Sequence, residues 1–179
     1  HETGTRDMRR LGNLRRFMPM TSALAITASL AMAGIPLLNG FLSKEMFFSE
    51  ALGIDGAHAG MRIAVAVAAL LYGIFGVAYS LRFVHETFFG EGPRQLDAVP
   101  HEPPRWMRAP VAVLVLLCVA VGMFPAWTVA PVLHAGAMAI LGQAMPAYSL
   151  AVWHGFNLPL LMSLCGIVGG IALYFGLRR

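Results

Sequence analysis

The sequence predicts an all-α fold, a polytopic transmembrane helical bundle, and three observations carry that prediction. First, 58% of its 179 residues are hydrophobic and 12% are charged, against about 45–50% and about 25% in an ordinary soluble domain. Mean hydropathy is +0.67. Second, the charges are absent from long runs: Phe17 to Ser43, Ile63 to Leu81, and Ala109 to Leu177 contain no Asp, Glu, Lys or Arg. Third, the basic residues stand at the borders of those runs, where they orient helices in a bilayer. The expected architecture has about four crossings, the first of them broken between Gly34 and Gly40, plus one short interfacial or re-entrant helix.

Each element follows from the span length. A helix needs about 20 apolar residues to cross the hydrocarbon core. Residues 1–16 hold Arg6, Arg9, Arg10, Arg15 and Arg16 and read as a cytoplasmic loop. Residues 17–52 read as a broken transmembrane helix. Pro36 removes a backbone donor and clashes with the preceding turn, and Gly34 and Gly40 weaken helix on either side. Half-helices of about 20–34 and 41–52 are therefore expected. Residues 62–84 form the next crossing, and 85–108 a cytoplasmic loop. Its stretch Gly90–Pro104 (GEGPRQLDAVPHEPP) is polar and proline-rich, a solvated connector instead of a second domain.

The apolar stretch beyond Ala109 is too long for one crossing at about 1.5 Å per residue. Pro125, Pro131, Pro146 and Pro159, with Gly142 and Gly155, supply the turns. Crossings are expected at 109–124 and 157–177, with 131–145 as the shorter helix. Four crossings put eleven of the thirteen basic residues on one side, which the positive-inside rule makes cytoplasmic. A fifth crossing over 126–145 would place Arg178 and Arg179 outside. Trp106, Trp127, Tyr148 and Trp153 lie near span ends, as headgroup-belt residues do. The chain begins at His1 in a charged stretch with no signal-peptide pattern, and is expected to be a piece of a longer reading frame.

The net charge of +4 is spread over span borders, so no nucleic-acid partner is expected. Cys118 and Cys165 lie deep in apolar runs without metal-ligand spacing and read as small buried side chains. The Gly166, Gly169 and Gly170 group fits close helix packing, not a phosphate loop, because no Lys-Ser/Thr follows. No HExxH, metal cluster or nucleophile–base pair is present. Neither a metal nor a cofactor is expected, nor an enzyme acting on a soluble substrate.

Lys44 is the only lysine of the chain. It follows the break and is expected in the first turn of the second half-helix. Bare backbone at membrane depth is tolerated only inside protein or beside a water-filled cavity, and broken helices in transporters mark ion sites for that reason. A lysine held there can exchange a proton. Positions four away from it are Gly40 and Phe48, and Glu45 points about 100° away, so any carboxylate partner must come from another helix. The competing reading is geometric. A wholly helical Phe17–Ser43 would be about 40 Å long, and Lys44 with Glu45 would then snorkel at the outer interface.

A second polar group, Arg82, His85 and Glu86, shares one helix face at the cytoplasmic end of the 62–84 crossing. It reads either as an interface anchor with an ordinary ion pair or as the mouth of a proton path. Tyr72 and Tyr79 lie deeper and could extend that path. His134 and His154 read as structural histidines.

The segments HETGTRDMRRLGNLRRFMPMTSAL and ASLAMAGIPLLNGFLSKEMFF resemble the large A-type component of the multi-subunit Mrp-type sodium/proton antiporters. That family is similar to the proton-pumping membrane subunits of respiratory complex I. YSLRFVHETFFG and AVWHGFNLPLL resemble the same component, so the likeness covers nearly the whole chain. GFLSKE alone is shared with complex I-type subunits, whereas HETGTRD and WHGFNLPL favour the antiporter.

The resemblance implies that Phe17–Leu52 is the broken twelfth transmembrane helix of the antiporter-like core. It makes Lys44 the lysine ending the central polar axis, near the outer exit of a proton path. For Arg82 and His85 it implies only a weaker role. The glutamate–lysine pair and other central ionisable residues of the family would lie upstream of His1. The implied function is sodium/proton antiport driven by the proton gradient. It would take place in the cell membrane of a bacterium, with both ends of the chain cytoplasmic, in a complex with other antiporter subunits. Its ligands would be protons and monovalent cations. The alternatives are a proton-translocating subunit of a complex I-like NADH:quinone oxidoreductase or membrane hydrogenase, and a non-transporting scaffold.

Overall fold

The computed structural model describes residues 2–5, 7–54, 58–92, 96, 99–142 and 155–178. No strand occurs among them. Two short 3-10 turns, Met8–Arg10 and Leu14–Arg16, lead into α1 (Pro19–Ala33) and α2 (Asn39–Leu52). α3 (Ala59–Val84) continues into a π-helical turn over His85–Phe89. α4 (Arg105–Met123), α5 (Pro125–Thr128), α6 (Ala130–Leu141) and α7 (Leu158–Leu177) follow. Arg6, Arg94, Arg179, residues 143–145 of the expected interfacial helix, Pro146, Tyr148, Trp153 and His154 lie outside the described residues.

Three helices, Ala59–Phe89, Arg105–Met123 and Leu158–Leu177, are long and apolar enough to cross a bilayer. α1 and α6 are apolar but shorter. The molecule is a helical membrane bundle, and the way α3 is buried explains its composition. α3 buries a narrow stripe of small residues, Ala69, Gly73, Val77 and Ser80. Its Tyr72, Phe75 and Tyr79 stand exposed on the outside. Without water as solvent, large apolar side chains gain nothing by turning inward, and small residues let backbones approach.

The α3–α7 seam shows that approach. A Cβ added to Gly170 would meet the Val77 side chain at 2.5 Å and the Ile74 carbonyl oxygen at 2.7 Å, and one on Gly169 would meet Ile74 at 3.1 Å. Gly166 and Gly170, four apart, are both buried on this face of α7.

α1 ends in a Schellman motif. Gly34 adopts φ +75°, its N–H bonds Ala31 O at 3.0 Å, and Ile35 N–H bonds Leu30 O at 3.1 Å. Glycine suits the left-handed cap residue because it has no Cβ penalty. Pro36, which cannot continue a helix, follows. Leu37 also carries a positive φ, 71°, and α2 restarts at Asn39. The interruption is thus Gly34–Leu38, and Gly40 lies inside α2. Its contribution is proximity, since a Cβ there would collide with the Ala31 carbonyl. Gly122 of α4 does the same for the interruption itself, seating α4 against the backbone of Leu37 and Leu38.

Three expectations change. α4 begins at Arg105, four residues before the expected Ala109, with Pro110 inside it. The apolar window excludes arginines, yet arginine side chains at a span end reach the interface without breaking helix. The 85–108 loop is also more than a solvated connector. Glu102 Oε1 accepts from the Met20 and Thr21 backbone N–H groups at 2.6 and 3.2 Å, and Oε2 accepts from the Thr21 hydroxyl at 2.8 Å. α1 has Pro19 in its first turn and no side-chain cap of its own, so this distant carboxylate satisfies its orphan donors and its positive dipole end. Burial would raise the Glu102 pKa. The Thr21 and Met20 hydrogen bonds and the Arg108 charge outweigh it, and hold the carboxyl below its ordinary value of 4.5. The cysteines also differ from expectation. Cys118 is half-buried and Cys165 exposed.

Candidate functional site

Lys44 sits in the second turn of α2, one turn later than predicted, because α2 starts at Asn39. It is buried, 8% exposed. Its Nζ donates to the Ala33 carbonyl at 3.1 Å. The Schellman turn makes that acceptor available: Gly34 and Ile35 close on Ala31 and Leu30, leaving Ala33 O for the lysine. Phe48, one turn further along α2, has its ring centroid 6.0 Å from Nζ. Among the described residues no carboxylate forms an ion pair with Lys44. The sequences of α1 and α7 hold no charged residue to supply one.

Three glycines from three segments surround the ammonium. A Cβ added to Gly34, Gly73 or Gly166 would stand 3.4, 3.4 or 3.7 Å from Nζ. A cavity of about 560 Å³ opens beside it, lined by Ala31, Met32, Ser43, Lys44, Phe47 and Tyr72 among others. The arrangement can hold an ammonium with one backbone acceptor and leave its other N–H groups to water. An ammonium so placed can exchange protons with water, and in its charged form it is neither a nucleophile nor a metal ligand. No group of three or more His, Cys, Asp or Glu suited to a metal occurs among the described residues.

The second predicted group lies at the far end of α3. Arg82 Nε pairs with Glu86 Oε2 at 3.2 Å. His85 turns instead to α7, with Nδ1 3.0 Å from the Tyr174 hydroxyl and Nε2 3.5 Å from Arg178 Nη1. A guanidinium only donates. In that contact Nε2 can only accept, while the direction of the His85–Tyr174 bond depends on the imidazole tautomer. Tyr79 is not brought to this group. It is 60% exposed, with no polar partner in the group. The two sites are separate. Gly166 and Tyr174 are eight residues apart on α7, roughly 12 Å. In between, the Ser80 hydroxyl on α3 is buried without a hydrogen-bond partner among the described residues. His134 is exposed on α6.

Comparisons with known proteins show what the whole chain is similar to. Residues 1–79, which contain α1, the interruption, α2 and most of α3, match the family described as NADH:quinone oxidoreductase/Mrp antiporter, transmembrane. The chain is 55% identical over 178 residues to the A/B component of a probable K(+)/H(+) antiporter of Rhizobium meliloti, covering 99% of this chain and 18% of that protein. It is 35% identical over 189 residues to the A component of the Na(+)/H(+) antiporter of Alkalihalophilus pseudofirmus, covering 100% of this chain and 24% of that protein. Among solved structures, a chain of the Mrp complex from Dietzia sp. superposes with a TM-score of 0.78 at 33% identity, covering all of this chain and 18% of that one. The chain is thus similar, over nearly its whole length, to subunits of Mrp-type antiporters. It spans about a fifth of the length of the relatives it matches.

Within this chain, sequence reasoning placed Lys44, Gly34 and Pro36 in one neighbourhood. It missed Gly73 and Tyr174. Gly73 carried only a faint signal, one of two glycines near the middle of an apolar span already rich in alanine. Tyr174 carried none, because its partner is 89 residues away in the chain.

Proposed function

We propose that this chain forms part of a membrane subunit exchanging a monovalent cation for protons, driven by the proton gradient, with Lys44 as a proton carrier near the outer end of the path. One observation carries the reading. The only lysine lies buried beside a helix interruption, held among the described residues by a single backbone carbonyl and bordering a cavity. An ion there is expensive to keep and is retained for function. The subunit works in a hetero-oligomeric assembly with other antiporter subunits in a bacterial cell membrane, with both ends of this chain on the cytoplasmic side. The eleven basic residues at that side support the orientation.

The cation is sodium in this reading. The relative at 55% identity bears potassium in its name, and the one at 35% bears sodium, so both are to be assayed. The group of Arg82, His85 and Glu86, joined by Tyr174, acts as a cytoplasmic anchor between α3 and α7.

Lys44→Ala in the assembled antiporter tests the carrier. Cation-induced collapse of a proton gradient in everted vesicles should fall to background with either salt. Near-normal exchange, at normal assembly, rules the role out.

A further inference from the structure

The cradle around Lys44 has a feature that holding a charge does not require. Side chains are missing on three sides of the ammonium, and the gap comes from three separate segments. On Gly73, an added Cβ would meet Lys44 Cε at 3.1 Å, Phe48 Cζ at 3.3 Å and Nζ at 3.4 Å. On Gly34 it would meet Lys44 Cδ at 2.7 Å. On Gly166 its contacts, Gly73 C at 3.6 Å and Nζ at 3.7 Å, are ordinary. Packing alone would use glycine where backbones touch, as at Gly170, whose added Cβ would strike Val77 and the Ile74 carbonyl and not Lys44. At Gly73 the missing methyl makes room for the outer half of the lysine side chain.

Nζ uses one N–H on Ala33 O. Its other two N–H groups have no protein acceptor among the described residues, and the cavity beside it is the space available for water. A carrier must release its proton in one direction and regain it from another, which a clamped ammonium cannot do. We propose that Gly73, with Gly166 opposite, is a positioning residue for Lys44: it leaves the lane through which the ammonium moves between the Ala33 carbonyl and the water of the cavity. The proposal rests on Lys44 being the carrier. Tyr72 is the only other titratable residue lining that cavity among the described residues.

The test measures cation/proton exchange per assembled complex in everted vesicles across a range of pH. Gly73→Ala should slow exchange about tenfold or more, in keeping with the cost of misplacing a reacting group, and displace the pH profile. Gly166→Ala should displace the profile less. Gly60→Ala, on the same helix where an added Cβ meets nothing within 4 Å, should match wild type. Gly170→Ala should lower the amount of assembled complex and leave its pH profile in place.

If Gly73→Ala and Gly60→Ala share one profile while Lys44→Ala is inactive, the lane is wrong and the carrier stands. If Lys44→Ala stays active, the carrier itself fails. Should Gly73→Ala not assemble, Gly166→Ala decides alone, and an unchanged profile overturns the proposal.

Discussion

The middle and the C-terminal end of the α3–α7 pair hold ionisable groups in opposite ways. At the interruption, backbone and empty space hold one lysine: a carbonyl from a Schellman turn, glycines, and a cavity. At the C-terminal end of both helices, side chains hold each other, Arg82 on Glu86 and His85 between Tyr174 and Arg178. A group fixed by several side chains is ordered and satisfied. A group fixed by one carbonyl keeps its freedom to change partners. Interlocked side chains suit the anchor proposed above, and a charge bordered by open space suits the proposed carrier.

The largest expected effect sharpens this contrast at Gly34. Gly34→Ala forces a left-handed alanine, costing about 1–2 kcal/mol, and drives a methyl into the lysine stem. Exchange should drop about tenfold or more, well beyond what the loss of thermal stability of the purified complex explains. If exchange merely tracks stability, the backbone grip on Lys44 is not functional.

Next is Glu102. Glu102→Gln should lower stability by about 1 kcal/mol near neutral pH, as loss of a helix cap does. The effect has a definite pH sign. The folded carboxyl ionises below its ordinary value of 4.5, so its stabilisation is complete above that value and is lost as pH falls through the lower folded value. Unfolding midpoints measured down the acid range should converge for variant and wild type at the acid end.

Tyr174→Phe removes the His85 bond and should cost about 1 kcal/mol of thermal stability, with exchange per complex unchanged. A large loss of exchange would move His85 from anchor to proton path and break the comparison. The smallest effect is expected at Arg82, whose pair with Glu86 is an exposed i,i+4 bridge. Arg82→Ala should cost about 0.3–0.5 kcal/mol in the same melting assay.

Much of this was legible in the sequence where the signal is local. Charge-free runs locate spans because the bilayer forbids charge over a fixed thickness. Gly34 and Pro36 mark the interruption because helix cannot pass a proline cheaply. What stayed hidden is non-local. Glu102 caps a helix 81 residues upstream. Gly73 matters only for what α2 places opposite it. The α4 start was misread for a different reason: hydropathy scores whole residues, while Arg105 and Arg108 divide themselves between an apolar stem and a wet head.

The Ala33 carbonyl has a consequence for anyone mapping this protein by mutagenesis. Residue 33 lends the cation an atom that all twenty amino acids possess, so swapping its side chain leaves the acceptor in place. A scan of alanines or cysteines would score the position as silent. The partner of the charge would go unnoticed unless the chain's direction at the neighbouring turn were altered, or that amide were replaced by an ester.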